Sequence, residues 1–318
     1  MRLVILGVGA IGGVVAGHLA RANREVLALA RGEHLEAIRG QGLRVDTVDG
    51  GFTVQIPCAA PTDRIDWRDD DVLVVATKTQ DVSAALQLLG APVHVPIVCL
   101  TNGLAAERIA LRHSRQVYAS CVRIPAAYLV PGTVQTFGTP IPGMLDLGRY
   151  PDGTGELADA IAGELVVAGF GCEVRANIMK WKRYKLLDNL ANSAEALSGP
   201  AARTSTLAAL AKAEGRAVYA AANLGCITAA EDEARRGAFR HGEIAGVPRG
   251  GGSTWQSLTK GGDLETDYLN GEIAMLGRLH GVATPINEAL QTLASEAART
   301  RQPAGTLPLG ELIARIAT

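Results

Sequence analysis

The sequence lacks the features that mark several large classes of protein. Aromatic residues make up only 4% of it, and its formal net charge is -1, so nothing indicates a basic surface for nucleic acid or for an anionic membrane. No apolar run reaches the ~18 residues of a membrane span. The apolar N-terminal residues lead straight into a glycine turn, which is unlike a signal peptide. We expect no nucleic-acid partner and no membrane association.

Cysteines are few, odd in number and scattered, and no two of them form a CxxC pair. This pattern predicts neither a disulfide framework nor a zinc site, so we expect no bound metal. A reducing compartment, the cytoplasm, suits such thiols best. The five residues are Cys58, Cys99, Cys121, Cys172 and Cys226.

The remaining composition is that of a globular α/β protein. The chain has 318 residues, of which 47% are hydrophobic and 20% are charged, and 37 are glycines. A chain of this length has room for two domains of ~150 residues each.

A glycine-rich turn directly follows the first apolar run, MRLVIL, and a helical pattern with Val14, Val15 and Leu19 on one face comes after it. Strand, glycine turn and helix are the order that a dinucleotide-binding fingerprint requires. The first glycine makes the tight turn, the second lets a pyrophosphate approach the backbone, and the third lets the helix pack on the strand. A tight turn without a ligand is the alternative. The turn reads Gly7, Val8, Gly9, Ala10, Ile11 and Gly12.

The end of the second predicted strand, Glu25 to Ala30, distinguishes two cofactors. A carboxylate at this point would bind the ribose 2′-hydroxyl of NAD, whereas an arginine accepts the 2′-phosphate of NADP. Arg31 follows the strand, and Glu33 comes too late for the other role. The sequence therefore favours NADP (NADPH), with a solvated loop arginine as the alternative.

Two further strands end in polar residues. Lys78 follows the apolar run DVLVVA, and Asn102 follows the run from Pro96 to Leu100. Ligands of open α/β sheets lie at the carboxyl ends of the strands, so we expect Lys78 to bind the cofactor and Asn102 to bind cofactor or substrate. A loop-edge lysine and a turn-forming asparagine are the alternatives.

Helical periodicity dominates the second half, which predicts a domain boundary near Ala176. The interpretation is a dinucleotide-binding domain over residues 1–176 and a helical substrate domain over 177–318. Asn177 to Ser198 is predicted as one long helix, and so is Asp263 to His280. In the first of these, Lys185 and Asn189 are four residues apart and share a face, with Asn192 and Ser193 a turn further along. A lysine ammonium on a polar face can protonate a ketone oxygen during reduction.

Several short signatures occur in order along the chain, and together they resemble the ketopantoate reductase (2-dehydropantoate 2-reductase) family. The most specific is Leu264-Glu265-Thr266-Asp267-Tyr268-Leu269-Asn270-Gly271. The others are the glycine turn, Arg31-Gly32-x-His34-Leu35, Lys78, Asn102-Gly103, Lys185 with Asn189, Ser253, and Pro285 with Asn287.

The resemblance implies a Rossmann-type N-terminal domain and an all-helical C-terminal domain like that of 6-phosphogluconate dehydrogenase. It also implies reduction of ketopantoate to pantoate with NADPH, on the route to pantothenate and coenzyme A. Lys185 resembles the catalytic lysine of the family, with Lys182 as a competitor, and Glu265 resembles the active-site glutamate. Ser253 resembles the substrate-binding serine, with a helix N-cap as its alternative role.

One departure from the family pattern concerns the substrate. Ser193 stands where the family usually has a second asparagine, eight residues after the lysine, and Asn192 precedes it. We therefore expect a small 2-oxo acid as substrate, bound by Asn102, Lys185, Asn189, Asn192, Ser193 and Ser253. Ketopantoate is the first choice, and another 2-oxo acid or an imine is the alternative. An NADP-sensing regulator is a further alternative, and a monomer and a homodimer both remain open.

Overall fold

The computed structural model describes residues 1–247 and 250–317, except for the side chains of residues 129 and 317. The chain groups into two units. The first comprises Met1–Trp181 and Ala229–Arg249, and the second comprises Lys182–Thr228 and Gly250–Thr318.

The first part of the chain alternates strands with helices. Its elements are β1 (Arg2–Leu6), α1 (Ala10–Arg21), β2 (Val26–Leu29), α2 (Gly32–Gln41), β3 (Leu43–Thr47), β4 (Gly50–Val54), β5 (Cys58–Ala59), β6 (Asp71–Val75), α3 (Val82–Leu89), β7 (Ile97–Cys99), α4 (Ala106–Ala110), β8 (Val117–Arg123), β9 (Ala126–Val130), β10 (Thr133–Thr136), β11 (Gly138–Thr139), β12 (Met144–Arg149) and α5 (Glu156–Val167).

The remaining part is almost wholly helical. Its elements are α6 (Ile178–Asn189), α7 (Asn192–Ser198), α8 (Thr206–Ala221), α9 (Ala229–Arg236), β13 (Arg240–His241), α10 (Ser253–Thr259), α11 (Asn270–His280), α12 (Pro285–Arg299) and α13 (Leu309–Ala317).

Seven strands form the main sheet, in the order β12-β8-β7-β6-β1-β2-β5. All neighbours pair in parallel except β12, which runs antiparallel to β8. The chain leaves β1 for β2 on one side and later reaches β6 on the other side. The strand order thus reverses beside β1, which is where doubly wound sheets bind their ligands. This confirms the predicted Rossmann-type fold of the N-terminal part.

A smaller sheet in the order β4-β3-β10-β9 packs against α1. Gly17 of α1 lies so close to this sheet that an added Cβ would sit 2.4 Å from Cγ2 of Val45. The small side chains of α1 therefore let sheet and helix approach each other closely. α1 in turn holds the glycine turn in place.

The segment after α8 belongs to the first unit. β13 pairs with β11, and Asp232 of α9 forms an ion pair with Arg123 of β8. Arg235 donates two hydrogen bonds from Nε and Nη2 to the buried carboxylate of Asp146, at 2.8 and 2.5 Å. The functional boundary near residue 176 stays a prediction. It assigned residues 229–249 to the second domain, whereas this segment groups with the first unit.

The long helix expected over Asn177 to Ser198 is two helices, so the prediction of one continuous helix was wrong. α6 ends at Asn189 and α7 begins at Asn192. The carbonyl of Leu190, between them, accepts a hydrogen bond from Nδ2 of Asn270 at 3.0 Å. The side chain of Asn270, from the distant helix α11, thus donates a hydrogen bond to a carbonyl at the point where the two helices meet.

The helix expected over Asp263 to His280 also starts later than predicted. A single 3₁₀ turn over Thr266–Tyr268 precedes α11, and Glu265 lies just before that turn. Among the described residues, no helix combines the length and the apolar character needed to cross a membrane.

Candidate functional site

Two glycines of the turn between β1 and α1 are required by packing. Gly7 has a φ of +98°, and a Cβ there would lie 2.8 Å from Cγ2 of Thr77. A Cβ at Gly12 would lie 2.1 Å from the carbonyl oxygen of Gly7. The absence of side chains at these two positions allows α1 to begin close to the end of β1 and to pack against it, as the sequence predicts.

Gly9 differs, because among the described residues no atom beyond its two chain neighbours lies within 4 Å of the place where its Cβ would be. It is the N-cap residue of α1 and provides no side-chain cap, so the first N–H groups of the helix are left for another acceptor. Thr77 packs against Gly7 of the same turn. Its Oγ1 is buried, and it has no hydrogen-bond partner among the described residues. Open space, uncapped N–H groups and an unpartnered hydroxyl fit a dinucleotide pyrophosphate.

The other predicted cofactor residues follow the strands that neighbour β1. Arg31 follows β2, Lys78 follows β6, and Asn102 follows β7. These strands are adjacent in the order β7-β6-β1-β2, so their carboxyl ends form one edge of the sheet. Oγ1 of Thr79 donates a hydrogen bond of 3.2 Å to the carbonyl oxygen of Asn102, which ties two of the strand ends together.

Arg31 is exposed at the start of α2, with an extended backbone. In residues 1–247 and 250–317, no carboxylate lies within ion-pair distance of it. No acidic residue stands between the end of β2 and Arg31. The guanidinium is therefore available to a solvent-facing anion.

In the helical unit, α7 brings several of the predicted substrate residues together. Ser193 is fully buried, and its hydroxyl donates to Oδ1 of Asn270 at 2.7 Å. It also lies 3.2 Å from Oγ1 of Thr266, the residue after Glu265. The hydroxyl of Ser193 thus faces protein groups and links α7 to the Glu265 turn, which differs from the expected contact with substrate.

Asn192 lies beside the start of α10. Its Oδ1 accepts a hydrogen bond of 2.7 Å from Nη1 of Arg203, which also contacts Glu195 at 3.0 Å. A Cβ at Gly252 would lie 2.8 Å from Oε2 of Glu195, so the residue before Ser253 packs on α7. Gly252 is the N-cap of α10, and Ser253 is the exposed first residue of the helix. The alternative that Ser253 is the N-cap was therefore wrong.

The two candidate lysines differ in burial. Lys182 is only 3% exposed, whereas Lys185 is partly exposed on the last two turns of α6. Asn189 ends that helix and is buried, and Glu265 is partly exposed. Lys185 is thus the more accessible of the two lysines, and its assignment over Lys182 stays a prediction.

Two residues without a predicted role lie next to candidate site residues. Arg203, which holds Asn192, stands in an alanine-rich stretch that carries no signal. His34 belongs to the signature that begins at Arg31, and it contacts the glycine turn through the carbonyl of Val8. A histidine in the first turn of an amphipathic helix, on the same side as its apolar residues, is the pattern that could have indicated it. Among the described residues, no group of His, Cys, Asp and Glu side chains is arranged to hold a metal ion.

Two family models match most of the chain. "Ketopantoate reductase PanE/ApbA" matches residues 3–152, and "Ketopantoate reductase PanE/ApbA C terminal" matches residues 177–298. The 2-dehydropantoate 2-reductase of Mesorhizobium japonicum is 31% identical over 92% of this chain and 96% of that protein. The enzyme of the same name from Pyrococcus horikoshii is 29% identical, over 60% of this chain and 62% of that protein.

Solved structures show the same fold. A PanE/ApbA family ketopantoate reductase from Ralstonia eutropha JMP134 is 25% identical, with a TM-score of 0.79 over 95% of this chain and 100% of that one. D-mandelate dehydrogenase in complex with NADH and anilino(oxo)acetate superposes with a TM-score of 0.82 at 23% identity, over 95% of this chain and 99% of that one. With both of its parts matched, the chain belongs to the ketopantoate reductase family.

Proposed function

We propose that this chain is an NADPH-dependent reductase that converts a small 2-oxo acid into the corresponding 2-hydroxy acid. The first candidate reaction is 2-dehydropantoate to pantoate, a step toward pantothenate and coenzyme A. The observation that carries the proposal is the open space at Gly9, at the reversal point of the sheet, in a chain whose two parts match the two family models. The functional division is residues 1–176 for the cofactor and 177–318 for the substrate.

The cofactor is held by the edge of the sheet. The N–H groups of the turn from Gly7 to Gly12 bind the pyrophosphate, and Arg31 binds the 2′-phosphate of NADPH. Lys78 adds positive charge beside the phosphates, and Asn102 orients the nicotinamide or the substrate carbonyl. An Arg31→Ala variant is expected to raise the Kd of NADPH much more than that of NADH. Equal effects on the two nucleotides would contradict the 2′-phosphate contact.

The protein supplies the proton. A bound NADPH would supply the hydride that reduces the substrate carbonyl. Lys185 holds a proton on Nζ and passes it to the carbonyl oxygen, whose negative charge it also stabilises. Asn189 and Glu265 orient the reacting group. Ser253, at the exposed start of α10, binds the carboxylate of the substrate together with the amide of Asn192.

The test is oxidation of NADPH, followed by absorbance, with 2-dehydropantoate and a panel of other 2-oxo acids. Turnover of 2-dehydropantoate supports the first candidate. Lys185→Ala is expected to lower turnover by ~10²-fold or more while NADPH still binds. If Lys182→Ala has this effect and Lys185→Ala does not, the assignment of the proton donor is wrong.

A different 2-oxo acid, or an imine, is the second candidate, because Ser193 replaces the second asparagine typical of the family. The same fold also serves D-mandelate dehydrogenase. Turnover of another panel member without turnover of 2-dehydropantoate would favour this candidate. Binding of NADPH without turnover of any compound would indicate a sensor instead. We place the reaction in the cytoplasm, carried out by a monomer or a homodimer.

A further inference from the structure

His34 connects three segments of the first unit. It lies in the first turn of α2 and is only 7% exposed. Its Nε2 is 2.6 Å from the carbonyl oxygen of Val8, in the glycine turn. Its Nδ1 accepts a hydrogen bond of 2.8 Å from the backbone N–H of Gly132, between β9 and β10. The ring also lies against Tyr128, with 4.5 Å between ring centroids.

These contacts determine where the ring proton is. A backbone N–H can only donate, so Nδ1 carries the lone pair that faces Gly132. The neutral imidazole then has its hydrogen on Nε2, and this hydrogen is donated to the carbonyl of Val8. The main chain of the β9–β10 hairpin thus selects the tautomer that binds the glycine turn.

The bond to Val8 fixes a whole peptide group. In a planar trans peptide, the C=O of one residue and the N–H of the next point in opposite directions. With the carbonyl of Val8 turned toward His34, the N–H of Gly9 points away from it. In the described part of the chain, no atom beyond the two neighbouring residues lies within 4 Å of the Cβ position of Gly9. The space beside the N–H of Gly9 is therefore open, because the glycine itself has no side chain to fill it.

We propose that His34 is a positioning residue for the cofactor, because it orients the Val8–Gly9 peptide so that the N–H of Gly9 meets the pyrophosphate. The inference rests on the proposed binding of a dinucleotide. Arg31 is the N-cap of the helix whose first turn carries His34. The imidazole thereby also connects the start of α2, where Arg31 would bind the 2′-phosphate, to the glycine turn that would bind the pyrophosphate.

The test compares two amides that each restore one half of the imidazole. In His34→Gln, the side-chain NH₂ reaches the position of Nε2 and donates to Val8. In His34→Asn, the amide oxygen reaches the position of Nδ1 and accepts from Gly132, but nothing reaches Val8. His34→Phe keeps the ring and removes both bonds. Leu35→Ala, at the next buried position of α2, controls for loss of stability.

The Kd values of NADPH and NADH are measured by fluorescence titration, with the melting temperature of each variant. We expect His34→Gln to bind within about threefold of the wild type, and His34→Asn and His34→Phe to bind about tenfold more weakly. The factor should be the same for NADPH and NADH, because both carry the pyrophosphate. The loss should appear in the KM of NADPH more than in kcat, because the bond to Val8 acts on the binding of the cofactor.

Equal affinities of His34→Gln and His34→Asn would overturn the proposal. So would a loss of affinity that follows the melting temperature in the same way as in Leu35→Ala. If the wild-type chain binds NADPH and the variants are unaffected, only the role of His34 fails. If the wild-type chain binds neither nucleotide, the proposed function fails, and the role of His34 fails with it.

Discussion

Gly9 and Gly12, three residues apart in the same turn, separate cofactor binding from folding. In Gly12→Ala, the new methyl group meets the carbonyl oxygen of Gly7, so we expect a loss of about 3 kcal/mol in the free energy of unfolding. In Gly9→Ala, it meets no described residue beyond its chain neighbours, so stability should change by less than about 1 kcal/mol. NADPH binding should nevertheless weaken, because the methyl group enters the pyrophosphate space. Urea unfolding and NADPH titration of both variants check this, and full NADPH affinity in Gly9→Ala would contradict it.

His18 makes the stability of the first unit depend on pH. Burial, and secondly the charge of Arg21, lower the pKa of His18 from 6.5 to about 4. Its ring packs edge-on against Phe52 and Phe170. Between these pKa values the unfolded chain binds a proton that the folded chain does not bind. The contribution of neutral His18 to the free energy of unfolding is therefore complete above pH 6.5 and is lost as the pH falls toward about 4.

We expect the wild type to lose about 3 kcal/mol through His18 between pH 7 and pH 4. His18→Phe keeps the aromatic contacts and removes the titrating group, so its stability should fall less over the same range. Urea unfolding at several pH values measures the difference. His94→Gln, at an exposed loop position, should follow the wild-type curve. Parallel curves for His18→Phe and the wild type would be evidence against this role.

At the scale of single residues, the sequence predicted what depends on local order. The structure bears out the packing roles of Gly7 and Gly12, because a strand, a turn and a helix that adjoin in the chain also adjoin in space. It could not predict that Ser193 is buried against Asn270, because that contact joins residues 77 positions apart. Whether Lys185, Glu265 and Ser253 act on substrate stays a prediction.

At the scale of elements, a buried polar network joins the helices α7, α8, α11 and α12. Asn287 is fully buried and accepts a hydrogen bond of 2.9 Å from Asn270. Its Nδ2 donates to Oε2 of Glu214 at 2.7 Å and to the carbonyl of Ala211 at 3.0 Å. Asn270 in turn bonds Ser193 and Leu190. The network therefore fixes where α6 ends and α7 begins.

Replacing Asn287 by leucine should destabilise the helical unit. The change leaves Asn270, Glu214 and the carbonyl of Ala211 each one partner short, for a loss of about 2 to 3 kcal/mol. Thr292→Val, at an exposed position of the same helix, should change stability by less than about 0.5 kcal/mol. Urea unfolding followed by circular dichroism measures both variants. Equal stabilities of the two variants would show that the network is dispensable.

Element boundaries follow the sequence where burial is continuous. β6 begins at Asp71, the first residue of the run DVLVVA, because the sheet buries all five residues of the strand. The break between α6 and α7 has no local signal, since neither glycine nor proline stands at Leu190 and Ala191. A helix pattern alone continues through such a point, and only the distant side chain of Asn270 marks it.

For the whole molecule, the chain connectivity is less simple than a division into two halves. The first unit is completed by Ala229–Arg249, after the chain has already built part of the second. Most residues of α9 are charged, a composition typical of a solvated helix face. Asp232 and Arg235 are instead paired with Arg123 and Asp146, residues more than 80 positions earlier. Charge pairs over such distances leave no pattern in a single sequence.

We expect the Arg235–Asp146 pair to hold this segment on the first unit. In Arg235→Met, the buried carboxylate of Asp146 keeps the backbone N–H of Glu173 at 2.9 Å and the more distant Nε of Arg175 at 3.5 Å, but loses its bidentate partner. Removing one member of a buried pair leaves a poorly compensated charge, so the segment should detach more often. Hydrogen exchange of peptides within residues 229–247 should become about tenfold faster.

The neighbouring Arg236→Met provides the matched control for this prediction. It removes a half-exposed arginine of the same helix, but Asp232 keeps its pair with Arg123. Exchange in 229–247 should then stay close to that of the wild type, and exchange in β1 should be unchanged in both variants. If Arg236→Met accelerates exchange as much as Arg235→Met, then general helix charge, and not the pair with Asp146, holds the segment in place.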